Sequence, residues 1–198
     1  MKKEVTKNGT HIEYWRGKKT SEENYKDGKL HGLTTRWDED GQIRVEINYE
    51  NGRYHGKKTQ YRYGYKWDET NYQNGTINGK HTTFYSNGQK RFEGQASEAG
   101  KYDDSEHKRI GKWSFWYKTG EKSQELDYGS RGDLCGEDHT WYKNGQKKAI
   151  YSINPHRLLK HWDKEGKDIT QEILKDVDFV LRKKLNEALG ELDDEHPF

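Results

Sequence analysis

A pair of glycines four residues apart, recurring at a nearly fixed period, constrains this chain more than any other feature. Tyr25-Lys26-Asp27-Gly28 is followed by Gly32, Tyr49-Glu50-Asn51-Gly52 by Gly56, and Tyr72-Gln73-Asn74-Gly75 by Gly79. The second glycine advances in steps of 24 and 23 residues and continues at Gly111 and Gly136 after steps of 32 and 25. Self-similarity at such a period specifies an array of small supersecondary units that bury surface against their neighbours. A residue type found in several units is therefore read first as structure. The long step marks an insertion.

Each unit holds a second turn: Glu39-Asp40-Gly41, Ser86-Asn87-Gly88, Lys118-Thr119-Gly120 and Lys143-Asn144-Gly145. Glycine after a short polar residue supplies the positive φ of a tight hairpin. Two turns per period leave two strands of about seven residues, which predicts a single-layer antiparallel meander of β-hairpins. Hydrophobic matching then selects a three-residue loop. It sets Trp37 opposite Ile43 and gathers Leu33, Thr35, Val45, Ile47 and Tyr49 on the same side. The same choice joins Phe84 to Phe92, Trp116 to Leu126 and Tyr128, and Trp141 to Ala149, Tyr151 and Ile153, while a two-residue turn at Gly64 keeps Tyr61 in line. Trp37, Tyr61, Phe84, Trp116 and Trp141 then form one ladder on a packing face, because a slip of one residue would turn every side chain over.

Only 28% of the 198 residues are hydrophobic and 35% are charged, a balance that alone matches disorder. The net charge of +2 and the 13% of aromatic residues argue for a fold, one whose apolar content is carried by rings. The single cysteine, Cys135, forbids an intramolecular disulfide and fits a reducing compartment. Residues 1–7 contain no apolar stretch, so a cytoplasmic location is expected.

Three segments follow. Residues 1–24 read as a partial N-terminal repeat. Residues 25–167 read as the hairpin array, interrupted by an insertion at 96–110 whose polar composition predicts a solvated loop. Residues 168–198 read as a C-terminal amphipathic helix and acidic tail: Ile173, Val177, Val180, Leu181, Leu185, Ala188, Leu189 and Leu192 recur at helical spacing. Asp168 and Gln171 could form a capping box. The helix is read as a cap on the last unit, with a partner or dimer helix as the alternative. Nine acidic and four basic residues give this segment a net charge of −5, against +7 for the rest.

Units of the form Tyr-x-Asn-Gly-x-x-x-Gly-(x)4-Trp/Tyr-(x)3-Gly-(x)4-Glu-(x)2-Tyr resemble the bacterial variant of the MORN repeat. The resemblance runs from about Glu4 to Gly166, and arrays of this kind are similar to proteins grouped as YwqK-type antitoxins. It implies a partner that is neutralised by binding, and it supplies no catalytic residue. The sequence departs from the pattern at the insertion, at Ala96 where tyrosine is expected, and in the terminal helix. MORN arrays more broadly imply scaffolding and contacts with lipid headgroups.

Candidate chemistry is weighed against that regularity. Glu22, Glu46, Glu69, Glu93 and Glu125 occupy one repeat position. Successive copies lie two strands, about 10 Å, apart, too far for a retaining carboxylate pair, so ion pairs with Arg44, Arg91 and Lys148 are expected instead. His31, His55 and Cys135 share another slot, but ligands so spaced cannot converge on one metal, and no metal or other cofactor is expected. Asp133, Glu137 and Asp138 around Cys135 oppose thiolate formation, and no phosphate loop or nucleophile elbow is present. No catalytic residue is assigned. The face opposite the packing face carries Tyr65, Trp67, Tyr85, Trp113, Phe115 and Tyr117 among arginines, the residue types that protein interfaces concentrate. These six are the expected partner-binding residues. Glutamates interleaved with the basic residues argue against nucleic acid. The reading is an all-β repeat array that binds a protein, possibly a toxin, without catalysis, with a structural or membrane-associated scaffold as the alternative.

Overall fold

A computed structural model describes residues 7–98 and 107–193. The chain runs through β1 (Gly9–Trp15), β2 (Lys18–Lys26), β3 (Lys29–Leu30), β4 (Gly32–Trp37), β5 (Ile43–Glu50), β6 (Arg53–Arg62) and β7 (Tyr65–Gln73). It continues through β8 (Thr76–Phe84), β9 (Lys90–Glu98), β10 (His107–Trp116), β11 (Lys122–Tyr128), β12 (Leu134–Trp141), β13 (Lys147–Ser152) and β14 (Arg157–His161), and ends in helix α1 (Thr170–Asp193). Strands pair in chain order as one antiparallel sheet, with short β3 beside β2. This is the predicted single-layer meander.

Two kinds of turn alternate. Along one border Asn51 and Gly52, with φ of 51° and 82°, make the two-residue turn that suits the twist of a hairpin. The Gly52 N–H donates to the Leu30 carbonyl at 2.8 Å, as Gly75 does to Tyr54 at 2.8 Å and Gly28 to Lys7 at 2.9 Å, so each turn hangs on the preceding unit. Along the other border the loops have three residues, as the apolar matching required: the Asp38 N–H donates to the Gln42 carbonyl at 2.9 Å around Glu39-Asp40-Gly41. Gly64 closes the expected two-residue turn, with Arg62 opposite Tyr65.

The predicted faces need correction. Trp37 does oppose Ile43, but Arg36 opposes Val45, so the register skips Arg44. The same β-bulge skips Thr20, Trp67, Arg91, Ser123 and Lys148, one in each unit. A bulge adds one residue to one strand and returns the rest of it to the opposite face. Val45, Ile47 and Tyr49 therefore lie opposite the Trp37 side. Phe92 opposes Thr83 rather than joining Phe84, Leu126 opposes Trp113 rather than joining Trp116, and Ala149 opposes Thr140 rather than joining Trp141.

Two rows of cross-strand partners define the true faces. One runs Glu22, Thr35, Glu46, Thr59, Glu69, Thr82, Glu93, Ser114, Glu125 and His139 from β2 to β12. The adjacent residue of each strand, one position back in β2, β5, β7, β9 and β11 and one forward in β4, β6, β8, β10 and β12, gives the other: Ser21, Arg36, Val45, Gln60, Asp68, Thr83, Phe92, Phe115, Gln124 and Thr140. We call these the glutamate face and the groove face.

The insertion differs from its prediction at its two ends, while 99–106 lie outside the described residues. Ala96 pairs with Arg109 and Gln95 with Ile110, so both ends of 96–110 prolong the β9–β10 hairpin instead of forming a loop. At the C-terminus, the Asp168 carboxylate accepts the Thr170 N–H at 2.9 Å and the Lys160 ammonium at 2.8 Å, which makes the cap an interaction with Thr170 rather than a box with Gln171. Lys160 and Thr170 hold the Asp168 carboxyl well below the usual carboxylate range. Thr170 is buried, and its hydroxyl accepts the His161 N–H at 2.9 Å, tying the first helical turn to β14. Beyond that turn Leu174, Val177, Val180 and Leu181 remain exposed, so among the described side chains α1 meets the last strand at its start. The most acidic residues, from Asp194 onward, lie outside the described residues.

Candidate functional site

The glutamate face saturates itself. Lys19 pairs with Glu22, Lys57 and Lys66 flank Glu69 at 2.9 and 3.1 Å, and Lys80 and Lys90 flank Glu93 at 2.9 and 2.8 Å. Lys122 and Lys112 do the same for Glu125 at 2.7 and 3.6 Å. The partners are thus lysines of the same and the adjacent strand, not Arg44, Arg91 and Lys148. Four of these lysines also cover the ring ladder: Lys19 lies 4.4 Å from the centre of Trp37, Lys66 4.2 Å from Phe84, Lys90 5.5 Å from Trp116 and Lys122 5.3 Å from Trp141. In the second unit Ile43 replaces the lysine, and Tyr61 takes the ring position and donates its hydroxyl to Glu46 at 2.8 Å. Burial, and then that carboxylate, push the Tyr61 hydroxyl up to about 12. For Glu69 and Glu93 burial acts upward on the carboxyl, but the two lysines outweigh it and each is held below its ordinary value; for Glu125 the Lys122 bond leads in the same direction.

The groove face is built differently. A groove of about 830 Å³ crosses β4 to β7, lined among others by Arg36, Arg44, Lys58, Gln60, Arg62 and Trp67. A second recess of about 300 Å³ shares Lys58, Gln60 and Trp67 with it and continues over Asp68, His81, Thr83 and Arg91. Trp67 therefore stands between the two. The bulges explain the lining: Arg44, Trp67 and Arg91 are each the extra residue of its strand, turned towards this side. In the recess, His81 Nε2 meets the Asp68 carboxylate at 2.6 Å, and the Thr70 hydroxyl donates to the same carboxylate at 3.0 Å. Both members of the histidine–carboxylate pair are buried.

The six expected binding residues separate here. Trp67 borders both grooves, with the Arg62 guanidinium 5.0 Å from its ring centre. Tyr65 opens β7 beside the turn and is half-buried. Phe115 is half-buried and packs on Phe92 at 6.0 Å. Trp113 must be corrected: it is 0% exposed, and its indole N–H donates to the Gln95 carbonyl at 2.9 Å. A Cβ on Gly94 would come within 2.3 Å of that indole, so the missing side chain is what admits the ring. Trp113 therefore cannot offer an exposed contact surface. Tyr85 and Tyr117 reach along the array, donating to the Trp116 carbonyl at 2.9 Å and the Trp141 carbonyl at 2.8 Å, as Tyr142 does to Trp162 at 3.0 Å. They brace successive units. The strand glycine Gly94 was the sequence signal for a buried ring above it. Arg44 and Arg91 were missed because the bulges that turn them over leave no mark on the hydrophobic pattern.

Among the described residues no group of three His, Cys, Asp or Glu could hold a metal ion, and no helix is long and apolar enough to cross a membrane. The chain is thus an all-β array of β-hairpins carrying one self-neutralised face and one grooved face. A family model described as MORN repeat variant matches residues 30–51, so that unit is similar to a MORN repeat. MORN repeats are generally protein- or membrane-binding modules. No curated protein matches the chain.

Proposed function

We propose that this chain is a non-enzymatic protein-binding array whose groove face receives its partner, and in the finer form an antitoxin that neutralises a toxin by occlusion. The asymmetry of the two faces carries this reading. On the glutamate face the lysines that flank the carboxylates spend their charge within the sheet, which also leaves that side poorly suited to anionic lipid. The groove face gathers arginines, Trp67 and a recess, the composition from which interface hot spots are made. The absence of catalysis is likewise proposed: neighbouring grooves made by one repeated bulge favour contact over a wide surface rather than chemistry at a point. The toxin is the part that rests on resemblance alone.

Capture of partners by the tagged full chain from its native cells tests the proposal, with Trp67→Ala and the glutamate-face pair Lys57→Gln/Lys80→Gln alongside. A stoichiometric protein lost with Trp67→Ala and kept with the lysine pair is expected. Recovery of lipid, or of the same proteins by all three, would overturn it in favour of a scaffold.

A further inference from the structure

We infer that the groove face takes an acidic, extended protein segment laid across the strands, with Arg44 and Arg91 as its charge contacts and Trp67 between them. The inference rests on the protein-binding reading and names the partner's chemistry. Its first ground is charge balance. The lysines flanking Glu69, Glu93 and Glu125 have carboxylate partners, but among the described residues Arg44, Arg62 and Arg91 have none. Arg44 and Arg91 are exposed, and Arg62 lies on Trp67. An unpaired guanidinium beside an aromatic wall is a ready site for a carboxylate. Of the groove's own acids, Asp68 is committed to His81 and Thr70, Asp38 accepts the N–H groups of Asp40 and Gln42 in its own turn, and Asp40 is exposed in that turn at the groove's border.

The second ground is spacing. The bulges of β5, β7 and β9 place Arg44, Trp67 and Arg91 at the same point of alternate strands. At about 4.8 Å per strand, Arg44 and Arg91 stand about 19 Å apart with Trp67 midway. An extended chain covers that distance in about six residues. The structure thus selects carboxylates six residues apart with an apolar or aromatic residue halfway.

The third ground lies in the recess beside Trp67. Thr83 is 7% exposed and lines the recess, and its buried hydroxyl has no hydrogen-bond partner among the described residues. A buried polar group left unmatched is costly, so a polar side chain of the segment has a destination there. Nucleic acid fits less well, because among the groove's rings Tyr54 meets Tyr49 and Tyr72 edge-on at 5.1 and 5.2 Å and only the turn residue Tyr63 is widely exposed, so the arginines are not accompanied by a row of stacking faces.

The test uses fluorescence anisotropy of the full chain with a labelled glutamate–tyrosine copolymer at low salt, and with an oligo-thymidine strand in parallel. Binding of the copolymer is expected, weakened at least tenfold by Arg44→Gln/Arg91→Gln and retained by Lys57→Gln/Lys80→Gln, which alters net charge equally on the other face. Arg44→Lys/Arg91→Lys keeps the charge and should keep most of the binding even if the glutamine pair folds poorly. Thr83→Val should weaken binding without lowering the melting temperature. Equal loss with both glutamine pairs, no copolymer binding, or tighter binding of the oligonucleotide through the same arginines would each overturn the inference. The broader protein-binding proposal would still stand or fall on the Trp67-dependent capture.

Discussion

Gly94 and Trp113 show how much one missing atom can decide in a thin sheet. The indole rests on the glycine backbone and within ring contact of His81, Phe92 and Tyr128, at 5.9, 5.6 and 6.4 Å between centres. Gly94→Ala must displace it, and overpacking of this severity is expected to cost about 3 kcal/mol or more, read as a lower urea midpoint and a red-shifted tryptophan emission. Tyr117→Phe separates a strut from an interface residue. Losing its bond to the Trp141 carbonyl should lower stability by about 1 kcal/mol while partner capture is unchanged. Normal stability with lost capture would return Tyr117 to the binding site.

Among the strands, the recurring carboxylate–lysine pairs make stability depend on acid. Glu69, Glu93 and Glu125 have folded-state values below the ordinary 4.5, so their contribution is present at neutral pH and is lost as pH falls through the lowered values. Partly exposed pairs are each worth less than about 1 kcal/mol, so Glu69→Gln/Glu93→Gln/Glu125→Gln should cost about 1–2 kcal/mol at pH 7. The penalty should be smaller at a pH below the ordinary 4.5, where these carboxylates begin to protonate. A variant that melts below wild type by the same margin at both values would show that packing, not ionisation, holds this face.

For the molecule as a whole, the question is where the array ends. Thr170 and Asp168 close the last strand, while the apolar residues from Leu174 to Leu181 stay exposed. Removal of residues 174–198 should therefore leave the melting temperature of the array nearly unchanged, whereas Thr170→Val should lower it. A large loss on truncation would show that the helix covers more of the array than its first turn.

Period, turn chemistry and ring spacing were enough to determine the meander, its order and both loop lengths, because each is enforced locally by residues such as Asn51, Gly52 and Gly41. The carboxylate column was equally legible as structure, since its spacing across two strands forbids shared chemistry. The assignment of residues to faces was not legible. A β-bulge costs little locally and is fixed by the hydrogen-bonding of the neighbouring strand, yet it turned Arg44, Trp67 and Arg91 together and exchanged the partners of the whole hydrophobic pattern. The burial of Trp113 was likewise decided across strands, by a glycine nineteen positions earlier in the chain. What the sequence by itself determined is the array, written in short-range signals and repeated. Tertiary structure alone decided which of its two faces is finished and which carries the grooves, because that choice depends on register between strands.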